Sequence, residues 1–387
     1  MILSRGNMQI AFDVSPMINS HKSGVGYCTH GFVKTMVSQY DNNYILNYIS
    51  KPKYKENLNT LVGGKKVKIN SFCFKNSVYK VASTFLPIPY GAFFKDSADI
   101  THFFNYYLPP GVKGKKIVTV HDMAYKRFPE TVRFKTRKML DISLKKSINR
   151  ADLIITVSEF SKQEILSFFP QCARKIEVVY NGVDLNVFRP MSDQVMIEKV
   201  KRKYNIEGDF LLYLGTIEPR KNIERLLEAY SLIKKKLRYY PKLVLAGGKG
   251  WLDSGIFRTL EKLKLKDNVV FSGYVGDEDV PVLMNAARAF LFPSIYEGFG
   301  MPPLEAMACG VPVLTASVAS LPEVVGDAAV LVDPFSVDSI SSGMEKIISD
   351  EKLRTQLSQK GKERAKLFSW EIVTEKLYKI YEDLFPR

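Results

Sequence analysis

PSIYEGFGMPPLEAMACGVPVL, residues 293–314, places two glutamates, Glu297 and Glu305, eight positions apart in an otherwise apolar region. An apolar run, AFLF, ends just before it at Phe292-Pro293. Pro302-Pro303 suit the first turn of a helix, where a missing N–H removes no bond. A helix is therefore expected to begin at that pair, with Glu305 in its first turn and Gly310 at its end. VPVL then resumes as strand. Strand, loop, helix and strand in near-continuous apolar runs are the repeat of a parallel sheet covered on both faces. Between the glutamates, Gly298, Phe299, Gly300 and Met301 can bring backbone N–H groups close to a ligand. A glycine loop feeding a helix N-terminus suits an anion, phosphate above all. The two carboxylates suit a ligand that also carries hydroxyls. A phosphorylated sugar meets both demands, and a nicotinamide cofactor meets them less specifically. Taken singly, Glu305 as a helix cap and Glu297 as a solvated loop residue account for the same letters.

The alternation extends in both directions. MQIAFDVSP (8–16), KIVTVHD (116–122), LIITVS (153–158) and IEVVYNG (176–182) read as strands, with FVKTMVSQY, ISLKKSINR and EFSKQEILSFF helical around them. The pattern restarts with DFLLYLGTI, NIERLLEAYSLIKKKL, KLVLAGGKG, SGIFRTLEKLKL and NVVFSGYV. At 387 residues the chain exceeds what one core usually supports. The expected fold class is α/β, as two Rossmann-like domains facing across a cleft and joined near residues 188–205. Ligands of such sheets bind outside the carboxyl ends of the strands.

Composition narrows the partners. Apolar residues make up 46%, an ordinary globular value. The four cysteines, Cys28, Cys73, Cys172 and Cys309, have no CxxC spacing, which argues for reduced thiols rather than a disulfide frame or a zinc site. No apolar run reaches the length of about 18 residues that spans a bilayer, and the N-terminus has no signal-peptide core, so a soluble intracellular protein is expected. The formal charge is +16. Residues 51–80 hold eight lysines and one acid, and residues 126–150 hold nine Lys/Arg against two acids. Both runs interleave apolar side chains. Solvated faces account for them, and so does docking on an anionic membrane surface. Nucleic acid is not expected, because no recognition motif accompanies the charge.

Other candidates also follow strands. YLGTIEPRKN (213–222) sets Gly215 at a strand-end turn and Arg220-Lys221 at the mouth of a helix, where two cations can clamp a diphosphate; a solvated basic turn fits equally well. Gly247-Gly248 marks another such turn. Gly24-Val25-Gly26 lacks the third glycine of a dinucleotide fingerprint and reads as a tight turn or a ligand contact. His121-Asp122 closes KIVTVHD at the sheet edge, as a structural pair or a functional one.

Together these motifs resemble glycosyltransferase family 4, retaining enzymes of GT-B architecture. The resemblance rests on EGFGMPPLE with seven residues between its glutamates, GTIEPRKN, GYV, LEAMACGVPVL, VVYNGVDLNVFRP, HD at 121–122, VSEFSKQEI at 158–165 and FSWE at 368–371, in matching order. It covers nearly the whole chain, strongest over 205–335 and weakest over 40–100. It implies an N-terminal acceptor-binding domain over 1–190, with a C-terminal helix of about 371–387 packing back on it, and a nucleotide-sugar domain over 191–370. It implies that Arg220 and Lys221 hold the donor diphosphate with the N–H groups around Phe299-Gly300-Met301. Glu305 would bind the ribose hydroxyls and Glu297 the donor sugar. His121 would sit near the sugar and the leaving group with Asp122 beside it, and Gly24, Gly26 and Gly215 would approach the substrates. Family members often carry an arginine soon after Gly215, where this chain has Thr216.

The resemblance runs most closely to mannosyltransferases that use GDP-mannose. It implies a nucleotide-sugar donor and no cofactor, a glycan or lipid-linked glycan acceptor in cell-surface polysaccharide synthesis, and a cytoplasmic enzyme peripheral on the inner membrane face. Metal independence is expected. The alternatives are a GT-B hydrolase or epimerase of nucleotide sugars, and a basic membrane- or nucleic-acid-binding protein with a degenerate site.

Overall fold

The computed structural model describes residues 7–18, 23–51, 55–61, 63, 65, 67–248 and 254–385. The chain divides into two units, residues 1–182 with 370–387, and residues 183–369. The division falls after Gly182, eight residues before the boundary expected at 190.

Unit 1 runs β1 (Gln9–Asp13), α1 (Gly24–Gln39), β2 (Asn43–Ile49), α2 (Lys55–Leu61), β3 (Val67–Phe72), α3 (Asn76–Phe85), β4 (Ile100–Phe103), β5 (Lys115–Val120), α4 (Ala124–Arg127), α5 (Phe134–Arg150), β6 (Leu153–Thr156), α6 (Glu159–Phe168) and β7 (Ile176–Val178). The strands form one parallel sheet in the order β3-β2-β1-β4-β5-β6-β7. Leu144 and Ile148 of α5 are fully buried in one cluster with Val118, Val120 and Ile154 of the sheet. Apolar residues at consecutive strand positions are what a sheet covered on both faces requires.

The last helix, α15 (Trp370–Leu384), belongs to unit 1. The Trp370 indole packs edge-on to Phe32 at 5.0 Å, and Tyr378 stacks on Tyr40 at 3.8 Å. Tyr381 Oη lies 2.6 Å from His102 Nδ1, while His102 Nε2 lies 2.8 Å from Thr119 Oγ1. Burial pushes the His102 imidazole down to about 3, so it is a neutral link between helix and sheet.

Unit 2 runs α7 (Gln194–Lys203), β8 (Phe210–Leu214), α8 (Ile223–Lys236), β9 (Lys242–Ala246), α9 (Ser254–Lys262), β10 (Val269–Gly273), α10 (Val280–Ala286), β11 (Ala289–Phe292), α11 (Met301–Ala308), β12 (Val313–Ala316), α12 (Leu321–Val325), β13 (Ala329–Val332), α13 (Val337–Ser349) and α14 (Glu351–Lys366). Its sheet is also parallel, in the order β10-β9-β8-β11-β12-β13. Each sheet reverses its strand order once, between β1 and β4 in unit 1 and between β8 and β11 in unit 2. Such switch points open a crevice at the carboxyl ends of the strands. Among the described residues, no helix is long and apolar enough to cross a membrane.

Candidate functional site

The β8 and β11 loops meet at the switch point of unit 2. After β8 the chain passes Gly215 and makes a 3-10 turn over Pro219–Lys221, and after β11 it passes Glu297. The two loops are tied by the Ile295 N–H donating to the Arg220 carbonyl at 3.0 Å. Asn222, in the left-handed region at φ 64, is buried. Its side-chain amide donates to the Pro293 carbonyl at 3.0 Å and the Pro334 carbonyl at 2.6 Å. Asparagine tolerates that backbone conformation better than most residues, which is the only local sign the sequence carries of this brace.

The braced loops set a charge cluster. Lys221 Nζ lies 2.6 Å from Glu297 Oε1, and Arg220 contacts Glu297 Oε2 at 3.0 Å. Arg220 also donates to the Tyr296 carbonyl at 2.6 Å and pairs with Glu218 at 2.6 Å. Burial alone would raise the Glu297 pKa, but Lys221 and then Arg220 outweigh it and hold the carboxyl at about 2. Burial and the Arg220 charge press the Lys221 pKa down against the pull of Glu297. The sequence placed the cations on a diphosphate and Glu297 on a sugar as separate jobs; in the folded unit all three form one ionic group.

The helix after this loop starts earlier than its prolines suggest. α11 begins at Met301, with Gly300 as N-cap at φ 105 and the prolines at the second and third positions. Glu305 is therefore the fifth residue of α11 and lies beyond the first turn, which corrects the expectation that the helix opens at Pro302. The reason is that Gly300 adopts a backbone that most side chains avoid, and this lets Met301 enter the helix. A Cβ on Gly300 would come within 2.8 Å of Leu321 Cδ2. Pro302 and Pro303 have no N–H, so the donors this helix end can offer are those of Gly300 and Met301. Ser320 Oγ lies 2.9 Å from the carbonyls of both Glu297 and Phe299, which fixes the path of Gly298 between them. Burial, with Asp277 adding repulsion, raises the Glu305 carboxyl to about 7.

Strand-end glycines extend the floor. The Gly215 N–H donates to the Ala246 carbonyl at 2.9 Å, and the Gly247 N–H to the Gly273 carbonyl at 2.8 Å. A Cβ on Gly247, at φ 141, would sit 2.0 Å from the Gly215 oxygen. The close approach is set by pairing across neighbouring strands, so a glycine pair read in isolation conveys little of it.

Unit 1 contributes its own strand-end candidates. His121 is buried, and its Nε2 lies 2.7 Å from the Phe104 carbonyl, which can only accept. Nε2 therefore carries the proton. Burial lowers the pKa more than the Phe104 and Asp122 contacts raise it, so the ring is neutral and Nδ1 is an acceptor. Asp122 Oδ1 accepts the Ala124 N–H at 3.0 Å, and the Asp122 N–H donates to Tyr106 Oη at 3.0 Å, so this aspartate holds the start of α4. Gly24 and Gly26 lie in the first turn of α1 rather than in a free turn, with Ser23 Oγ accepting the Gly26 N–H at 3.4 Å. Residues 19–22, which precede them in the sequence, lie outside the described residues. Among the described residues, no cluster of three or more His, Cys, Asp and Glu side chains is arranged to hold a metal.

Comparison with known proteins bears on the same segments. Residues 196–364 match glycosyl transferases group 1, and residues 50–187 match glycosyltransferase family 4. The chain is 39% identical over 284 residues to the O-antigen chain mannosyltransferase B of Escherichia coli, covering 73% of this chain and 74% of that one. It is 34% identical over 223 residues to the serotype-specific mannosyltransferase WbdA of Escherichia coli, a match that spans 57% of this chain but only 27% of WbdA. Sucrose-phosphate synthase from Thermosynechococcus elongatus superposes with a TM-score of 0.75 at 20% identity, covering 98% of this chain and 99% of that one. That likeness concerns the fold. By its matched segments and its similarity over most of a relative's length, the chain belongs to glycosyltransferase family 4 and is a glycosyltransferase of GT-B architecture.

Proposed function

We propose that this enzyme transfers mannose, with retention of anomeric configuration and without a metal or other cofactor, from GDP-mannose to a glycan or lipid-linked glycan in cell-surface polysaccharide synthesis. The similarity to the O-antigen chain mannosyltransferase over nearly three quarters of both chains supports the mannose and polysaccharide parts of this reading.

The chemistry requires that the bond from the sugar C1 to the diphosphate oxygen breaks as an acceptor oxygen bonds to C1. The acceptor proton passes to the departing diphosphate, which leaves from the face that the acceptor enters. Negative charge grows on the leaving group, and fixed positive groups lower that barrier most. In this proposal Arg220, Lys221 and the N–H groups of Gly300 and Met301 supply them. Glu305 accepts from the ribose hydroxyls and Glu297 from the mannose hydroxyls. The Nδ1 acceptor of His121 takes a further sugar hydroxyl, while Asp122 holds the strand end that carries it. Gly215 lets the backbone approach the donor, and Gly24 and Gly26 open α1 toward the substrates. Incubation with GDP-mannose and a mannoside acceptor, in the presence of a chelator, should yield an α-linked product from the α-linked donor. Turnover of UDP-sugars alone would overturn the donor assignment.

We also propose that the enzyme works peripherally on the inner face of the cytoplasmic membrane, through unit 1. Val78, Val81 and Phe85 are 45–60% exposed and recur every three or four residues along α3, so they form one stripe, and Phe74, just before the helix, is 47% exposed. Phe134 on α5 is 57% exposed, with Arg137 and Lys138 over its ring at 5.4 and 4.7 Å. Asp141, the one acid of α5, is paired with Lys126. Apolar side chains flanked by cations suit anionic headgroups.

A further inference from the structure

The ionic group of unit 2 holds a second carboxylate, Glu218, to which the reaction proposed above gives no role. Glu218 stands just before the 3-10 turn over Pro219–Lys221. A residue that precedes proline is confined to extended backbone, and Glu218 lies there at φ -146 and ψ 157. Its carbonyl accepts the Lys221 N–H at 3.0 Å and closes the turn. Backbone alone therefore builds the turn, and the Glu218 side chain is left for another task.

That side chain is committed to Arg220. Arg220 Nη2 donates to Glu218 Oε1 at 2.6 Å. On the other side of the guanidinium, Nη1 donates to the Tyr296 carbonyl at 2.6 Å and to Glu297 Oε2 at 3.0 Å. Arg220 is thus gripped from two sides, by the β11 loop and by Glu218. The formal charges of Glu218, Arg220, Lys221 and Glu297 sum to zero. A diphosphate arriving on these cations adds negative charge to a group already neutral and largely buried, so a carboxylate has to withdraw.

The two carboxylates differ in how readily they withdraw. Glu297 is paired with both cations, and its side chain is 11% exposed. Among the described residues, Glu218 is ion-paired with one cation, and its side chain is 20% exposed. The more exposed pair is the weaker one, because water takes back the charge at less cost. When Glu218 leaves, the Tyr296 carbonyl and Glu297 still hold Nη1, so Arg220 keeps its place.

We propose that Glu218 is a positioning residue that serves as a displaceable counter-ion, holding Arg220 in register before the donor arrives and yielding Nη2 to a diphosphate oxygen. A hydrogen bond to a carboxylate is exchanged for one to a phosphate oxygen, and no proton moves. After transfer the carboxylate returns and helps drive the nucleoside diphosphate off. This role rests on the glycosyltransferase reading of the site and adds to it the group that limits how tightly the diphosphate is held.

The test measures GDP and guanosine binding to the full chain by calorimetry and saturation-transfer NMR, and GDP dissociation by stopped flow. Glu218→Gln keeps the size of the side chain and removes its charge. It should tighten GDP binding about two- to tenfold, the range for removing one competing ion pair at a partly exposed site. GDP dissociation should slow by a similar factor. Guanosine, which has no phosphate, should bind as it does to the wild type. In an Arg220→Met background, Glu218→Gln should leave GDP affinity unchanged, since the two residues act as one unit. Glu218→Ala carries the same test if the glutamine variant fails to fold. GDP binding that is unchanged or weaker in the charge-free variants would overturn the proposal while leaving the donor site in place. A gain that persists beside Arg220→Met would overturn it too, because Glu218 would then repel the phosphates without acting through Arg220. A wild-type chain that binds neither GDP nor UDP would remove the donor-site reading itself, and the counter-ion with it. If UDP and uridine show the pattern expected of GDP and guanosine, Glu218 keeps its role and the donor assignment falls.

Discussion

Lys221 Nζ and Glu297 Oε1 lie 2.6 Å apart, and Arg220 holds the second carboxylate oxygen at 3.0 Å. A diphosphate that reaches these cations must therefore compete with a carboxylate already bound to them. Glu297→Gln removes the competitor, so GDP should bind as tightly as to the wild type or up to about tenfold tighter. Transfer should still fall by about 100-fold or more, because the proposed contact to the sugar is lost. Lys221→Met has the opposite signature, with GDP binding weakened along with turnover. Loss of GDP affinity in Glu297→Gln would show that Glu297 positions the cations rather than occupying them.

The same cluster sets an acid limit. The Glu297 carboxyl is held at about 2, below its ordinary value of 4.5. A depressed folded-state pKa contributes stability above the ordinary value, and that contribution is lost as pH falls from about 4.5 toward 2. Glu297→Gln should flatten the fall in thermal stability over that window, measured by calorimetry against the wild type.

Glu305 behaves in the reverse sense. Its carboxyl is raised to about 7, so the folded chain favours the protonated form, and the associated stability fades as pH rises from about 4.5 through 7. Ribose hydroxyls that donate to Glu305 need the ionised form. GDP binding at pH 6.5 should therefore release a proton, visible as a buffer-dependent heat, whereas at pH 8 the heat should not depend on buffer. Glu305→Gln should abolish the release and stabilise the ligand-free chain at pH 8 by about 1–3 kcal/mol. A buffer-independent heat at both pH values would place the ribose elsewhere.

Gly247→Ala tests how tightly the strand ends are set. Its Cβ would meet the Gly215 oxygen at 2.0 Å, with φ at 141. Backbone strain and overpacking together should cost about 3 kcal/mol or more, read as a lower denaturation midpoint. Gly248→Ala, with nothing within 4 Å of its Cβ, should be close to neutral.

Periodicity reached the parallel sheets because their strands are apolar at consecutive positions, as in Phe210–Leu214. It reached the EGFGMPPLE loop because glycine and proline mark the backbone locally. The start of α11 was misread at Pro302, since the positive φ of Gly300 admits Met301 to the helix. What escaped is non-local. Asn222 bonds to carbonyls 71 and 112 residues away, and no spacing announces that. Ion pairing among Arg220, Lys221 and Glu297 likewise depends on two loops that only the sheet brings together.

The α3 stripe separates membrane docking from catalysis. Val81 and Phe85 are 48% and 60% exposed, so replacing them with aspartate should cost little folding stability. If the face docks on lipid, V81D/F85D should no longer cosediment with vesicles containing about one-third phosphatidylglycerol, having lost apolar insertion and gained like-charge repulsion. Wild-type binding should weaken as salt rises, because the Debye length shrinks from about 10 Å at 0.1 M toward 3 Å at 1 M. Transfer to a short soluble acceptor should be unchanged, while transfer to an acceptor embedded in those vesicles should drop. Vesicle binding that survives both substitutions, or a wild-type chain that ignores anionic vesicles, would remove this face from the membrane assignment. A concentration-dependent mass change abolished by V81D/F85D would instead identify the stripe as a contact between copies of the chain.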